Sequence, residues 1–375
     1  MFKFVGMSAE NDFSRLELSL SGCLSNYRYF RGLLKPSTKM LVLVKANAYG
    51  HGAVEFASMM QRAGADYLAV ALPVEGVELR SGGISLPILV LTAGTDFFDE
   101  IVSNRLEPGI PNLETLLAFE EVLARRGLKD YPIHLKLDTG MHRLGFMTSE
   151  LDALLAHLKQ TTAVRVKSVY SHLAAAEDPS EDEFTLGQIG MFRDNAGRVG
   201  EALGYKPMWH ILNSAGIERF TEYQFDMVRL GIGIYGVSAL EGKTLCPVAS
   251  LKVRILQIKT LKREDGTIGY SRRGVIPQDG MRLATIPVGY ADGIDRRLGC
   301  GRAGFGVKGR ICPTVGNICM DMCMIDVSGT DAAVGDTVTV FGDRPTVGDL
   351  ARILGTIPYE VLTSVPRRIG RVIVD

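Results

Sequence analysis

A chain of 375 residues, 46% of them hydrophobic, can bury one large core or two medium ones. Its 42 basic and 42 acidic side chains cancel, which removes the electrostatic case for nucleic acid or an anionic membrane as partner. No apolar run approaches the length of a membrane span, and the opening MFKFVGMSAENDFSR lacks the long apolar segment of a secretory signal.

Residues 17–20 and 25–34 read as a strand and a helix ahead of the main pattern. From Met40 to Gly236 short apolar strands then alternate with amphipathic stretches. Strands are expected at 41–45, 67–72, 88–92, 106–110, 133–137, 164–170, 208–212 and 227–235, with helices such as 53–63, 113–126 and 183–202 between them. Eight βα units in about 200 residues predict a (β/α)8 TIM barrel near the lower end of its size range. The weakest unit is the fourth strand, which carries Pro108 and Gly109. Past Gly236 helical periodicity nearly disappears. Alternating segments at 249–259, 281–287, 322–327, 337–341 and 371–374, separated by turn signals, predict a mostly antiparallel β domain with one short helix over 346–354. The expected division is a barrel domain over residues 1–240, including the N-terminal strand and helix, and a β domain over 241–375.

Metal chemistry finds little support. The six cysteines (Cys23, Cys246, Cys300, Cys312, Cys319 and Cys323) form no C-x-x-C pair, and the six histidines show neither H-x-x-x-H nor H-E-x-x-H spacing. Cys319 and Cys323 lie in ICMDMCMID, which alternates like a strand, so free thiols in a cytoplasmic protein are the expectation.

Barrel enzymes collect their chemistry at the C-terminal ends of the strands. Lys45 ends the first strand, Lys136 and Asp138 the fifth, His172 the sixth, and Asn213 and Ser214 the seventh, while Arg229 lies in the eighth. A lysine at a strand end ordinarily reaches out to solvent. A buried one has a lowered pKa and serves as an amine nucleophile or base. Gly231-Ile232-Gly233-Ile234-Tyr235-Gly236 matches G-x-G-x-x-G, but β grammar follows it where a dinucleotide fingerprint needs a helix. The better reading is a set of backbone N–H groups after the eighth strand that, with Ser214, cradle a phosphate.

A lysine after strand one and a phosphate cradle after strands seven and eight fit pyridoxal 5′-phosphate, which needs an amine to bond, donors for its phosphate and a partner for its pyridine nitrogen. Arg229 is the candidate partner. A guanidinium donates a hydrogen bond but hardly a proton, so the ring nitrogen stays largely unprotonated and side reactions such as transamination are disfavoured.

The motifs VKANAYGHG, KLDTGMHRLG, SHLA, NSA, VRLGIGIYG, IGYSR, VGYADG, GNICMDMCMID and PYEVLTSVPRRI stand in that order between Asn26 and Arg368. On these motifs the chain resembles the alanine racemases, fold-type III pyridoxal phosphate enzymes with a barrel and a C-terminal β domain. The resemblance implies that Lys45 carries the cofactor and acts as base for the D-side α-proton, with Tyr270 as base for the opposite face. It implies a phosphate site of Tyr49, Ser214, Gly231, Ile232 and Tyr359, the pyridine contact at Arg229, and His172 hydrogen-bonded to that arginine. Arg143 matches the arginine near the cofactor's phenolic oxygen and the substrate carboxylate. Lys136 matches a lysine, often carbamylated, that positions Arg143. Met320 and Asp321 match residues that bring a backbone N–H to the substrate carboxylate, and Tyr290 a tyrosine on the substrate's way in. A phenol ionises near ~10, so a tyrosine base needs cations beside it, and His172 and Arg229 are the candidates.

The resemblance further implies a C2 homodimer in which Tyr270, Tyr290, Met320 and Asp321 act in trans, and a role in supplying D-alanine for peptidoglycan. Leu230 stands where the family commonly has proline, and the usual Arg-Pro opening is missing. The competing readings are a racemase acting on serine as well as alanine, a basic amino-acid decarboxylase, and a non-catalytic carrier of the cofactor. Arg229 speaks against the decarboxylase, whose group uses an acid at the pyridine nitrogen. A full β domain bearing Tyr270 speaks against the carrier.

Overall fold

In a computed structural model, which describes residues 13–375, the chain forms two compact units. One comprises residues 24–48 and 52–245, and the other gathers the described residues up to Cys23, then 49–51 and 246–375. The opening residues 1–12, read above for a secretory segment and for the Arg-Pro motif, lie outside the described residues.

The first strand, β1 (Ser14–Ser19), pairs antiparallel with β10 (Ala249–Arg254) and parallel with β19 (Gly370–Val374). At the N-terminus this strand clusters with the unit that holds residues 246–375. The physical reason is pairing. A closed barrel has no free edge to accept another strand, whereas an open antiparallel sheet does.

The barrel is an eight-stranded parallel sheet: β2 (Lys39–Leu43), β3 (Tyr67–Val70), β4 (Ile88–Val90), β5 (Glu107–Ile110), β6 (Tyr131–Lys136), β7 (Val164–Tyr170), β8 (Met208–His210) and β9 (Met227–Leu230). Sequence order is kept from β2 to β8, and β9 pairs back onto β2, with Leu41 opposite Arg229. Backbone bonds from Asp226 N to Trp209 O (3.1 Å) and from Arg229 N to Leu212 O (3.0 Å) span the seam between β8 and β9. Strands buried on both faces are built from continuous apolar runs, as in MLVL, YLAV and ILV. The weak strand EPGI has its own reason: a Cβ on Gly109 would lie 2.5 Å from the Tyr170 hydroxyl, so glycine makes room for a tyrosine from β7.

The second unit is a nine-stranded, mostly antiparallel sheet. Besides β1, β10 and β19 it contains β11 (Gln257–Leu261), β14 (Met281–Ile286), β15 (Gly304–Val307), β16 (Arg310–Val315), β17 (Cys323–Asp326) and β18 (Thr337–Phe341). A small ribbon of β12 (Thr267–Ile268) and β13 (Gly274–Val275) stands beside it. The segment expected as one strand over 249–259 is broken. Ile255 N bonds to Asp336 O while Leu256 N bonds to Thr285 O, so β10 pairs with β18 and β11 with β14. The expected late helix is Val347–Leu354, with a capping box in which Thr346 Oγ1 accepts from Asp349 N at 3.1 Å. A further helix, Pro358–Thr363, follows it. No helix among the described residues is long and apolar enough to cross a membrane.

Two glycines separate steric from conformational effects. A Cβ on Gly289 would lie 2.2 Å from Cys319 O and 2.4 Å from Met320 O, at an ordinary φ of −146°. Gly289→Ala should lower stability by about 2 kcal/mol or more through overpacking. Gly187, inside the helix Asp182–Leu203, has nothing within 4 Å of a built Cβ, and Gly187→Ala should raise stability by roughly 0.5–1 kcal/mol. Urea midpoints of the two variants check both signs.

Candidate active site at the barrel rim

Lys45 follows the end of β2 after a single residue, Val44. The next four residues, Ala46, Asn47, Ala48 and Tyr49, have φ between 51° and 54°, a left-handed turn built without glycine. Each such residue costs roughly 1–2 kcal/mol, so the surroundings must hold the turn. Ala46 N donates to Glu75 Oε1 (2.6 Å), Ala48 N to Val44 O (2.9 Å) and Ala53 N to Asn47 Oδ1 (3.0 Å). Strain of this kind persists only where it is over-determined, and it concentrates at functional sites. Lys45 is half-buried, and among the described residues its amine has no hydrogen bond or ion pair. Burial first, then the Arg143 guanidinium, pull its pKa below the ordinary lysine value against a smaller pull upward from Glu75.

Arg229 on β9 is only 4% exposed. Its Nη2 donates to Ser171 O (2.5 Å) and Ile211 O (2.9 Å), and its Nη1 to His210 O (3.0 Å). It also meets His210 Nδ1 at 2.9 Å and His172 Nδ1 at 3.1 Å. A guanidinium has no acceptor, so both Nδ1 atoms accept and both neutral rings carry their proton on Nε2. Burial, then Arg229, hold both histidines far below their usual pKa. His172 is therefore uncharged and lends no cation to a tyrosine base, which corrects that expectation. Burial lowers Arg229 itself to about 10, so it remains a cation at neutral pH, with the Tyr170 ring 5.6 Å beneath it.

Lys136 ends β6 at 7% exposure, and among the described residues its amine has no hydrogen bond or ion pair. Its pKa is lowered to about 8, by burial first and then by Arg143 and Arg229, with Asp138 opposing. The Asp138 carboxylate is already engaged, accepting from Gly140 N and His142 N at 3.0 Å each. Lys45, Lys136, Arg143 and Arg229 thus repel one another with little anionic compensation, the charge pattern of a site that receives an anion.

Ser214 Oγ accepts from Gly231 N (2.9 Å) and Gly233 N (3.2 Å). Ser214 opens the helix Ser214–Arg219 and Ile232 opens a 3-10 turn, Ile232–Tyr235, so the N–H groups of these two residues have no acceptor within their own elements. Clustered cations, orphan backbone donors and an amine depressed below its usual pKa together fit an anionic aldehyde cofactor with a phosphate group.

The remaining expected residues belong to the other unit. Tyr290 N donates to Cys319 O and Ala291 N to Met320 O, both at 3.0 Å, which ties Tyr290 and Met320 into one knot. Asp321 pairs with Arg368 (2.9 Å), which also holds the buried Asp292 (2.7 Å). Tyr49 lies with its ring centroid 6.0 Å from that of Tyr359, and burial, then Tyr359, raise its pKa. The Tyr270 carbonyl accepts from Asn317 Nδ2 (2.9 Å), and the residue is 68% exposed.

Sequence reasoning overlooked His210, which grips Arg229 from β8. The available signal was a histidine inside a barrel strand, where an unpaired polar side chain is costly.

A closed parallel barrel with its polar groups at the strand ends is the framework of a barrel enzyme. The family model for the alanine racemase N-terminal domain matches residues 18–239, and that for the alanine racemase C-terminal domain matches residues 248–373. The alanine racemase of Synechocystis sp. is 35% identical over 370 residues, covering 96% of this chain and 98% of its own length. The structure of alanine racemase from Clostridium difficile 630 superposes with a TM-score of 0.89 at 32% identity, covering 97% of this chain and 96% of that one. That of the Bartonella henselae alanine racemase with covalently bound pyridoxal phosphate gives 0.87 at 27% identity, covering 97% and 100%. The chain belongs to the alanine racemase family. Alanine racemisation is therefore the activity this site has to perform.

The depressed Lys136 ties stability to pH. Its ammonium titrates at about 8 when folded against an ordinary 10.5, so between these values the unfolded chain binds more protons and stability rises with pH. In cofactor-free protein, Lys136→Met should be more stable than the parent below pH 8, and the gap should close toward pH 10.5. Urea melts across that range read the closing of the gap.

Proposed function

We propose that the chain interconverts L- and D-alanine with two bases, one on each face of the substrate α-carbon, on a pyridoxal phosphate held by Lys45. The observation that carries the reading is the cationic rim around a Lys45 amine of lowered pKa, with Arg229 locked as a donor. When bound, the cofactor supplies the electron sink that acidifies the substrate's α-C–H.

Lys45, freed as a neutral amine, takes or returns the proton on the D side, and the Tyr270 phenol serves the opposite face. Arg229 faces the cofactor's ring nitrogen, donating a hydrogen bond and keeping its proton. His172, neutral, accepts from Arg229 and steadies its plane. Arg143 binds the substrate carboxylate, and Lys136 positions Arg143. The pKa of Lys136, about 8, leaves some free amine near neutrality, the form that adds to carbon dioxide to give a carbamate. The N–H groups of Ser214 and Ile232, with Gly231, Tyr49 and Tyr359, hold the phosphate. Met320 and Asp321 offer a backbone donor to the carboxylate, and Tyr290 lines the path of the substrate.

Tyr270, Met320 and Tyr290 are 68%, 54% and 44% exposed, an unusual state for large side chains assigned to a water-excluding site. This supports a homodimer in which they complete the partner's rim. The same reading puts the enzyme in the cytoplasm, supplying D-alanine for peptidoglycan.

Borohydride reduction of the cofactor-loaded protein should place the pyridoxyl label on Lys45, and polarimetry should show both enantiomers of alanine moving to the racemate. A label elsewhere, or no loss of rotation, overturns the reading. Tyr270→Phe should slow α-proton exchange in deuterated water from one enantiomer far more than from the other. Equal loss from both removes the two-base roles. A mixture of Lys45→Met and Tyr270→Phe chains, each inactive alone, should regain activity after subunit exchange, because a mixed dimer holds one intact site.

A further inference from the structure

Arg229 is the end of a longer chain of buried groups. Glu107 Oε2 lies 2.7 Å from His134 Nε2, and His134 Nδ1 lies 2.6 Å from Ser168 Oγ. Ser168 Oγ lies 2.8 Å from His210 Nε2, and His210 Nδ1 lies 2.9 Å from Arg229 Nη1. The five residues sit on β5, β6, β7, β8 and β9, consecutive strands around the barrel, and all are buried. Strand register sets His134 opposite Ser168, and Tyr170, which stacks on the His210 ring at 5.1 Å, opposite His210.

The protons along this chain can be placed from its ends. Arg229 only donates, so His210 Nδ1 accepts and neutral His210 carries its proton on Nε2. That proton goes to Ser168 Oγ. Among the described residues Ser168 Oγ has just these two imidazole partners, so its own hydroxyl proton goes to His134 Nδ1. His134 then carries its proton on Nε2 and donates to Glu107, which accepts as a carboxylate. Reversing the His210 link would set two N–H groups against each other at Arg229, and reversing the Ser168–His134 link would leave the buried Ser168 hydroxyl proton without an acceptor among the described residues. The neighbouring Arg80 guanidinium is spent on the carbonyls of Asn104, Ile84, Leu86 and Arg105.

We propose that Glu107, His134, Ser168 and His210 are positioning residues for Arg229, forming a one-way hydrogen-bond relay that joins the buried guanidinium to a buried carboxylate. The inference rests on the assignment of Arg229 to the cofactor's ring nitrogen made above. Its chemical sense is separation. A carboxylate directly at a pyridine nitrogen would hold a proton there. Glu107 instead balances Arg229 through four intervening hydrogen bonds, so the nitrogen meets only a donor that keeps its proton.

Nitrogen-15 NMR of the imidazoles in cofactor-free protein tests the relay without using activity. His134 and His210 should both report a neutral ring protonated on Nε2 around neutral pH. A cationic ring, or a proton on Nδ1 of either, overturns the proposal. Ser168→Ala cuts the relay in the middle and should shift the His210 signals while leaving the His134–Glu107 contact in place. Glu107→Leu removes the terminal acceptor and should perturb both rings, whereas Glu107→Gln, whose amide oxygen can still accept, should restore the wild-type tautomers. His210 signals unchanged in both Ser168→Ala and Glu107→Leu would show that the links are not coupled.

In loaded enzyme Ser168→Ala and Glu107→Leu should each lose about tenfold in kcat, the lower end of what outer partners of oriented histidines cost, with KM for alanine little changed. Wild-type kcat in both, with melting temperatures showing them folded, also overturns it. If the unmodified protein fails to racemise alanine while the NMR tautomers hold, the proposed function fails and the relay stands.

Discussion

A cation buried in a barrel wall is the constraint on which the rest of this site depends. Arg229 cannot shed its charge cheaply and cannot accept a hydrogen bond, so every group packed against it must accept. Three backbone carbonyls and two imidazole nitrogens do so. This fixes the protonation of His172 and His210, and through Ser168 it fixes that of His134. Burial first, and then the charges of Arg143 and Arg229, lower the pKa of Lys136.

The second constraint is backbone strain. Four consecutive left-handed residues after Lys45 are held by a carboxylate from the next βα unit and by an asparagine side chain within the turn itself. A right-handed helix begun at once after β2 would have put Lys45 in its first turn. The left-handed turn instead delays the helix to Ala53 and leaves Lys45 alone at the end of the strand. Glycine at these positions would be easier to fold but looser, and the role proposed for Lys45 gains from rigidity.

The β-sheet unit solves a different problem. Tyr270, Tyr290 and Met320 are fixed by their backbones, through Asn317 to the Tyr270 carbonyl and through the Cys319 and Met320 carbonyls to the Tyr290 turn, while their side chains stay open. Rigid main chain beneath exposed apolar side chains suits the proposed homodimer, in which that surface meets another.

The alternation of apolar runs determined the barrel by itself, because parallel strands covered on both faces leave continuous hydrophobic segments that nothing else in a chain of this length explains. The same periodicity change marked the β unit, and strand-end positions made Lys45, Lys136, His172 and Arg229 visible as a group. Tertiary structure alone decided three other matters. β1 joins the antiparallel sheet of the second unit because an open edge accepts it, a fact of pairing and not of local pattern. The run at 249–259 splits because its two halves face different neighbours. Glu107, His134, Ser168 and His210 look like isolated polar residues in four separate strands. They become one relay only when the barrel sets those strands side by side, because a hydrogen bond is defined by distance and direction in space, and their spacing along the chain carries neither.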